Sequence, residues 1–196
     1  MKATRPYVMR ARAEAAEGTR QRILDAAVEE LWERPVSEVR LEDVAARAEV
    51  TVQTVLRVFG SKSDLLELAL EPLRSRIMRQ RESAQPGDVE GTISALFDHY
   101  EQMGDFVIRN LAEEQKLAEL RESLERGRKV HRQSMQRQFA PQLAGRDDKK
   151  LVLDCLVVAG DVYTWKLLRR DAGRSRKEAE ACVRHLVSRI LEAGVR

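Results

Sequence analysis

The stretch VTVQTVLRVFGSK, at residues 50–62, decides how the N-terminal part of this sequence is interpreted. Thr51 is suited to cap the start of a helix. The helix that follows has an apolar stripe at helical spacing, made of Val52, Val55, Leu56 and Phe59. Its other side carries Gln53, Thr54 and Arg57, whose side chains suit base edges and phosphates. This spacing predicts either a solvated helix face or a helix that contacts DNA.

Two shorter helical patterns precede this one. Thr19 can cap a first helix that ends before Pro35, and a second helix has an apolar face made of Leu41, Val44, Ala45 and Ala48. Three short helices with a tight connection between the last two are the geometry of a helix-turn-helix, in which one helix lies in the major groove. A three-helix unit without nucleic acid has the same apolar pattern. A helical protein-interaction module therefore remains the alternative.

Composition favours an all-α fold, with 43% hydrophobic, 34% charged and only 5% aromatic residues in a chain of 196. The net charge of +3 permits nucleic-acid binding without requiring it. Basic and acidic residues are equally frequent over residues 1–60. Whether this segment binds nucleic acid therefore depends on where its charged side chains point. Cys155 and Cys182 lack metal-ligand spacing and are predicted to be small buried residues in a reducing compartment.

Several functional classes find no support in the sequence. No zinc-binding His pair, nucleophile elbow or phosphate loop is present, so we predict no enzyme, no cofactor and no metal site. Residues 1–17 lack the apolar core of a secretory signal, and Asp154 interrupts the most apolar run. These observations predict a soluble, cytoplasmic protein without membrane contact.

The segments outside the three-helix unit are also predicted to be helical or flexible. Residues 1–18 are predicted to form a flexible basic arm, in which Arg5, Arg10 and Arg12 could enter a minor groove. A solubilising tail is the alternative. After the loop at residues 85–88, helices are expected around Ile93–Tyr100 and Phe106–Leu111, over 115–139 and 147–170, and from the Ser175–Glu178 capping box to about Gly194.

Three ordered segments resemble the signature of the TetR family: TRQRILDAA at residues 19–27, EDVAARA at 42–48, and the stretch at 50–62. The resemblance covers residues 19–70. It implies a helix-turn-helix DNA-binding domain over 19–62 and a larger helical-bundle domain for ligand sensing and dimerisation over 63–196. The implied function is a ligand-responsive repressor that binds a palindromic operator in double-stranded DNA as a homodimer.

The resemblance also indicates which residues would bind DNA, namely Arg40, Thr51, Val52, Gln53, Thr54, Arg57 and Lys62. The role of Val52 is left undecided, because the apolar stripe places it in the core and the resemblance places it against a base. This chain departs from the family pattern in three places. Glu49 replaces the usual turn glycine, Arg40 replaces a capping Ser or Thr, and Leu56 and Val58 replace the aromatic and His side chains that often hold phosphates.

The resemblance further implies a dimer through the last two helices and a pocket for a small-molecule effector. The 147–170 helix is apolar on more than one face, as a helix packed against two partners should be. The last helix has a stripe of Val183, Leu186, Val187 and Ile190. Candidate pocket residues, of which at most half are expected to touch a ligand, are Phe97, His99, Tyr100, Met103, Phe106, Met135, Tyr163 and Trp165.

Overall fold

A computed structural model describes residues 5–81 and 83–193, and over these ranges the chain contains helices and no strand. The α-helices are α1 (Arg5–Glu33), α2 (Leu41–Arg47), α3 (Val52–Phe59), α4 (Lys62–Arg81), α5 (Val89–Leu111), α6 (Ala118–Gln138), α7 (Ala140–Leu143), α8 (Lys149–Ala159), α9 (Val162–Lys166) and α10 (Arg176–Glu192). A π-helical turn, Leu167–Asp171, follows α9. The predicted all-α fold is confirmed.

The chain divides into two compact units, Met1–Arg74 and Ser75–Arg196. The division falls inside α4, whereas the sequence suggested a boundary at the start of this helix. None of the helices in the described ranges has an apolar stretch long enough to cross a bilayer.

The predicted flexible arm is wrong for the residues that the structure describes, because α1 is already helical from Arg5 onward. Residues 1–4 lie outside the described ranges. Thr19 does not cap a helix start; its hydroxyl donates to the Ala15 carbonyl at 2.9 Å, inside α1. Ala, Arg and Glu favour helix, and the Arg10–Glu14 ion pair supports it. Gly18 costs about 1 kcal/mol, which is too little to interrupt this segment.

The N-terminal unit packs α1, α2, α3 and the start of α4 around a small apolar core, made of Ile23, Ala27, Leu31, Val44, Val55 and Leu65. The carboxylate of Glu30, only 2% exposed, joins α1 to α2. Arg34 Nε lies 3.1 Å from it and Arg47 Nη2 lies 2.9 Å from it. A buried charge requires partners of this kind, so both arginines are occupied inside the unit.

Two helix boundaries in the C-terminal unit differ from prediction. One helix, α5, replaces the two expected around Ile93 and Phe106, since Gly104 is accommodated within it. The expected 147–170 helix is interrupted at Gly160. Asp161 accepts the Tyr163 N–H at 2.9 Å and so starts α9, and the Gly160 carbonyl accepts the Tyr100 hydroxyl at 2.9 Å. A cap and a partner from another helix together stabilise this break.

Other expectations for this unit are met in part. The capping box between Ser175 and Glu178 is present at the start of α10, as predicted. The prediction that both cysteines are buried is wrong. Cys155 is half-buried on α8 and Cys182 is exposed on α10, and both thiols are free. Cysteine's general tendency to be buried did not decide these two positions, since both lie on outward-facing parts of their helices.

Candidate nucleic-acid interface

A tight turn without glycine connects α2 to α3. The Val50 N–H donates to the Ala45 carbonyl at 2.9 Å, and the Glu49 N–H donates to the Ala46 carbonyl at 3.2 Å. This is a Schellman motif, in which one residue adopts the left-handed conformation. Glu49 is that residue, with φ 56°. A side chain in this conformation typically costs about 1–2 kcal/mol.

Thr51 starts α3 as predicted. Its hydroxyl oxygen accepts the Thr54 N–H at 3.2 Å, and the two threonine hydroxyls lie 3.1 Å apart. Thr51 is exposed and Thr54 is half-buried. The cap therefore fixes both side chains beside the first turn of α3, where a backbone phosphate can still bind them.

The faces of α3 differ from the predicted stripe at one residue. Val55 and Phe59 are buried, and Val52 and Val58 are half-buried. Leu56, which the stripe placed in the core, is 40% exposed. A helix of eight residues against a small core buries a narrower face than the spacing suggested. Leu56 thus shares the exposed face of α3 with Gln53 and Arg57.

The arginines of the N-terminal unit fall into two groups. Arg34 and Arg47 are held by Glu30 and its neighbours. Arg40 and Arg57, in contrast, are exposed and make no ion pair or hydrogen bond with any described residue. Arg40 precedes α2 without capping it, as expected. The guanidinium groups of Arg40 and Arg57 therefore face solvent. Composition alone could not show where these charges point.

The start of α4 lies directly after α3. Ser61 accepts the Asp64 N–H at 3.1 Å and its hydroxyl lies 2.6 Å from the Asp64 carboxylate. Lys62 is the first residue of α4 and is half-buried. The guanidinium of Arg20 covers the ring of Phe59 at 5.4 Å, which ties α1 to the end of α3. Basic side chains from α1 and α4 thus flank the end of α3.

Residues 23–69, which contain this arrangement, match the model of the bacterial regulatory proteins of the tetR family. This match to the tetR family covers about a quarter of the chain. A curated relative is the HTH-type transcriptional repressor SCO4008 of Streptomyces coelicolor, 30% identical over 84 residues, which are 43% of each chain. This chain therefore aligns with less than half of that relative.

The fold of this chain has a solved counterpart. A crystal structure of a transcriptional regulator from Rhodococcus sp. Rha1 superposes with a TM-score of 0.65 and 16% sequence identity. The match covers 88% of this chain and 96% of the other chain. At this identity the likeness concerns the fold.

The predicted effector pocket is not an open cavity in the structure. Of its eight residues, Phe106 is half-buried and Tyr163 is 56% exposed, so Tyr163 does not line the core. The other six are buried. The cavity beside Tyr100 and Trp165 has a volume of about 10 Å³, close to the room for one water. A more open groove of about 320 Å³ lies between α6, α7 and α8, and touches none of the eight.

A buried polar cluster lies in the same unit, and sequence reasoning missed two of its members. Arg81 Nη1 lies 3.4 Å from His131 Nδ1, and the Arg81 guanidinium lies 5.9 Å from the Tyr100 ring centre. His99 contacts the Tyr100 ring, with centroids 5.0 Å apart. Arg81 and His131 are fifty residues apart in sequence, and no local pattern signals that they meet.

Burial and the nearby charge of Arg81 keep the two histidines of this cluster neutral. Burial, and then the charge of Arg81, lowers the pKa of His99 to about 3. Burial also lowers the pKa of His131, with Arg81 acting in the same direction. Burial raises the pKa of Tyr100 to about 12. The positive charge of Arg81 is therefore surrounded by uncharged side chains at neutral pH.

Proposed function

We propose that this chain is a ligand-responsive transcriptional repressor that binds a palindromic operator as a homodimer. One observation carries the DNA-binding part of the proposal. The exposed face of α3 presents Gln53 and Arg57, and Arg57 has no partner among the described residues. The neighbouring Arg34 and Arg47 are used in ion pairs. An unpaired guanidinium on the second helix of a helix-turn-helix is placed to bind guanine in the major groove.

Each candidate residue then has a role that its position supports. Gln53 and Arg57 would contact base edges, and half-buried Val52 would touch a thymine methyl from the rim of the same face. The remaining residues would hold the backbone; they are Arg40, Thr51, Thr54 and Lys62. Leu56 is exposed beside Gln53, so it would add an apolar contact where other family members place a polar one.

Titration of a labelled promoter fragment from beside the gene tests the DNA-binding proposal. Fluorescence anisotropy should give nanomolar binding to this fragment and weaker binding to a scrambled fragment. The affinity should fall steeply between about 50 and 200 mM salt. Equal affinity for the two fragments would contradict the proposal and favour the helical protein-interaction module. Lys129→Ala, which removes an exposed charge from α6, serves as the matched control and should bind like wild type.

The dimer is proposed from an apolar surface on α8, α9, α10 and the π-helical turn after α9. Its large exposed side chains are Leu151, Val158, Tyr163, Leu167 and Leu186. Cys155 lies between the first two on α8, and Cys182 lies one turn before Leu186 on α10. Val183 and Val187 are buried in their own unit, so Leu186 is the residue of the predicted α10 stripe that is most open to a partner. Clustered exposed apolar residues of this kind typically mark an interface.

Charge substitution in this surface tests the dimer. Val158→Glu and Leu186→Glu should each produce monomers in sedimentation velocity and weaken operator binding, because one reading helix contacts few bases. Leu68→Glu is the control, because Leu68 is 42% exposed, like Leu186, but lies in the N-terminal unit. The proposal is wrong if both surface variants remain dimers.

Repression is the expected direction of control because the curated relative is a repressor. Deleting the gene should raise the transcript from the bound promoter, and a fall would indicate an activator.

A further inference from the structure

We propose that Arg81 binds a carboxylate group of the small molecule to which this protein responds. This inference rests on the proposed ligand-responsive function and adds the chemical class of the ligand. Arg81 is the last residue of α4, the helix that begins at Lys62 directly after the helix-turn-helix. A ligand held there would bind a helix that is continuous with the DNA-binding unit in the chain.

The first argument is that Arg81 is a buried cation without a counterion. Arg81 is 8% exposed. No carboxylate of the described residues lies within ion-pair distance of its guanidinium. Asp161 acts on Tyr100 and His131 electrostatically, but its Oδ1 accepts the Tyr163 N–H. Buried charges are normally paired, because leaving one unpaired is costly. The unpaired guanidinium of Arg81 is therefore suited to bind an anion.

The second argument concerns the direction of the hydrogen bonds around Arg81. His131 Nε2 lies 3.1 Å from the Val157 carbonyl, which can only accept, so Nε2 carries the proton. Nδ1 is then free to accept from Arg81 Nη1 at 3.4 Å. The Tyr100 hydroxyl donates to the Gly160 carbonyl. Neutral dipoles thus surround the guanidinium, and none of these contacts neutralises its charge.

The third argument is that several polar atoms in the cluster, and in Gln138 beside it, are buried without a hydrogen-bond partner. These atoms are Arg81 Nε, His99 Nδ1 and Gln138 Oε1. The amide of Gln138 is anchored, because its Nε2 donates to the Arg81 carbonyl at 3.1 Å. Arg81 Nε and a terminal nitrogen form the two-pronged donor that fits the two oxygens of a carboxylate. A carboxylate there would satisfy Nε and supply the missing negative charge.

Titration of the full-length protein with sodium formate and acetate tests this proposal without DNA. The readout is the ¹⁵N NMR signal of the Arg81 Nε–Hε group, which Arg81→Lys identifies by removing it. The signal should shift saturably with each carboxylate, and neither formamide, acetamide nor sodium chloride at equal ionic strength should reproduce the shift. No saturable shift would overturn the proposal, and an equal response to chloride would overturn the carboxylate assignment.

Thermal unfolding with the same salts provides the control. Acetate should raise the Tm of wild type and of Arg79→Gln, whose substituted arginine is exposed on the same helix, and should lose this effect in Arg81→Gln. An equal rise in Arg81→Gln would contradict the proposal. Because these measurements contain no DNA, their failure is distinguishable from a failure of operator binding.

A further variant tests Arg81 without any added probe. If Arg81 is retained for a ligand, Arg81→Met removes an uncompensated buried charge, and the Tm of the ligand-free protein should stay the same or rise. If Arg81 serves only to hold α4 against His131, the Tm should fall by about 5 °C or more, and the proposal is wrong.

Discussion

Gly104 of α5 lies directly against the indole ring of Trp165 of α9, so that a Cβ on Gly104 would stand 2.8 Å from Cε3 of that ring. The indole cannot easily move away. Its Nε1 donates to the Glu101 carboxylate at 3.0 Å, and the guanidinium of Arg170 lies 4.5 Å from the ring centre. The π-helical turn after α9 directs Arg169 and Arg170 to Glu101 and Asp105 of α5. The absence of a side chain at Gly104 is therefore a packing requirement.

Gly104→Ala should lower the free energy of unfolding by about 1–3 kcal/mol, because overpacking outweighs the better helix propensity of alanine. Gly127→Ala is the matched control in α6, where an added Cβ meets nothing within 4 Å. It should raise stability by up to about 1 kcal/mol. Urea unfolding followed by circular dichroism measures both. Equal effects of the two substitutions would contradict the close packing of Gly104.

Glu49→Gly should stabilise the N-terminal unit by up to about 1 kcal/mol, because glycine adopts the left-handed conformation of this turn without strain. Glu49→Ala removes the same carboxylate but keeps a Cβ, so it should not stabilise the unit. Comparison of the two in thermal unfolding separates backbone strain from charge. A gain in both variants would show that the carboxylate, not the backbone, is responsible.

The stability of the C-terminal unit should fall as the pH is lowered from 7 to 5. The pKa of His99 is about 3 in the folded protein because of its burial, against 6.5 in an unfolded chain. The unfolded chain therefore binds a proton that the folded one does not, and stability is lost below pH 6.5. The loss attributable to His99 is about 1.4 kcal/mol per pH unit.

Urea unfolding at several pH values tests this dependence. His99→Asn should flatten it, although His131 contributes in the same direction. His185→Asn, on the exposed face of α10, should leave the slope unchanged. An unchanged slope in His99→Asn would contradict the neutral, buried state of His99.

The features that the sequence predicted are those that depend on neighbouring residues. Thr51 and Ser175 cap helices because their hydroxyls accept backbone N–H groups three residues away. Glu49 replaces the turn glycine of the family pattern, and it adopts the left-handed conformation that a glycine would take there. The family signature likewise lies within one short stretch, which is why residues 23–69 were recognisable.

The features that the sequence did not predict depend on distant packing. Leu56 is exposed because the core available to α3 is small. The break at Gly160 is supported by Tyr100, sixty residues earlier. Arg81 and His131 meet only because the end of α4 lies in the same unit as α6. Each alone resembles a surface residue of a charged helix. The spacing of residues along one helix does not indicate which residues of other helices they will contact.

Operator selectivity of Arg57→Ala and Lys62→Ala tests the central claim most directly. Each variant is titrated against the operator fragment and a scrambled fragment, and the ratio of the two Kd values is compared with wild type. Arg57→Ala should lose about 1–3 kcal/mol on the operator and lower the ratio, because Arg57 contacts a base. Lys62→Ala should weaken both complexes about equally and keep the ratio. If Arg57→Ala keeps the wild-type ratio, α3 does not read the operator through Arg57, and the account is contradicted.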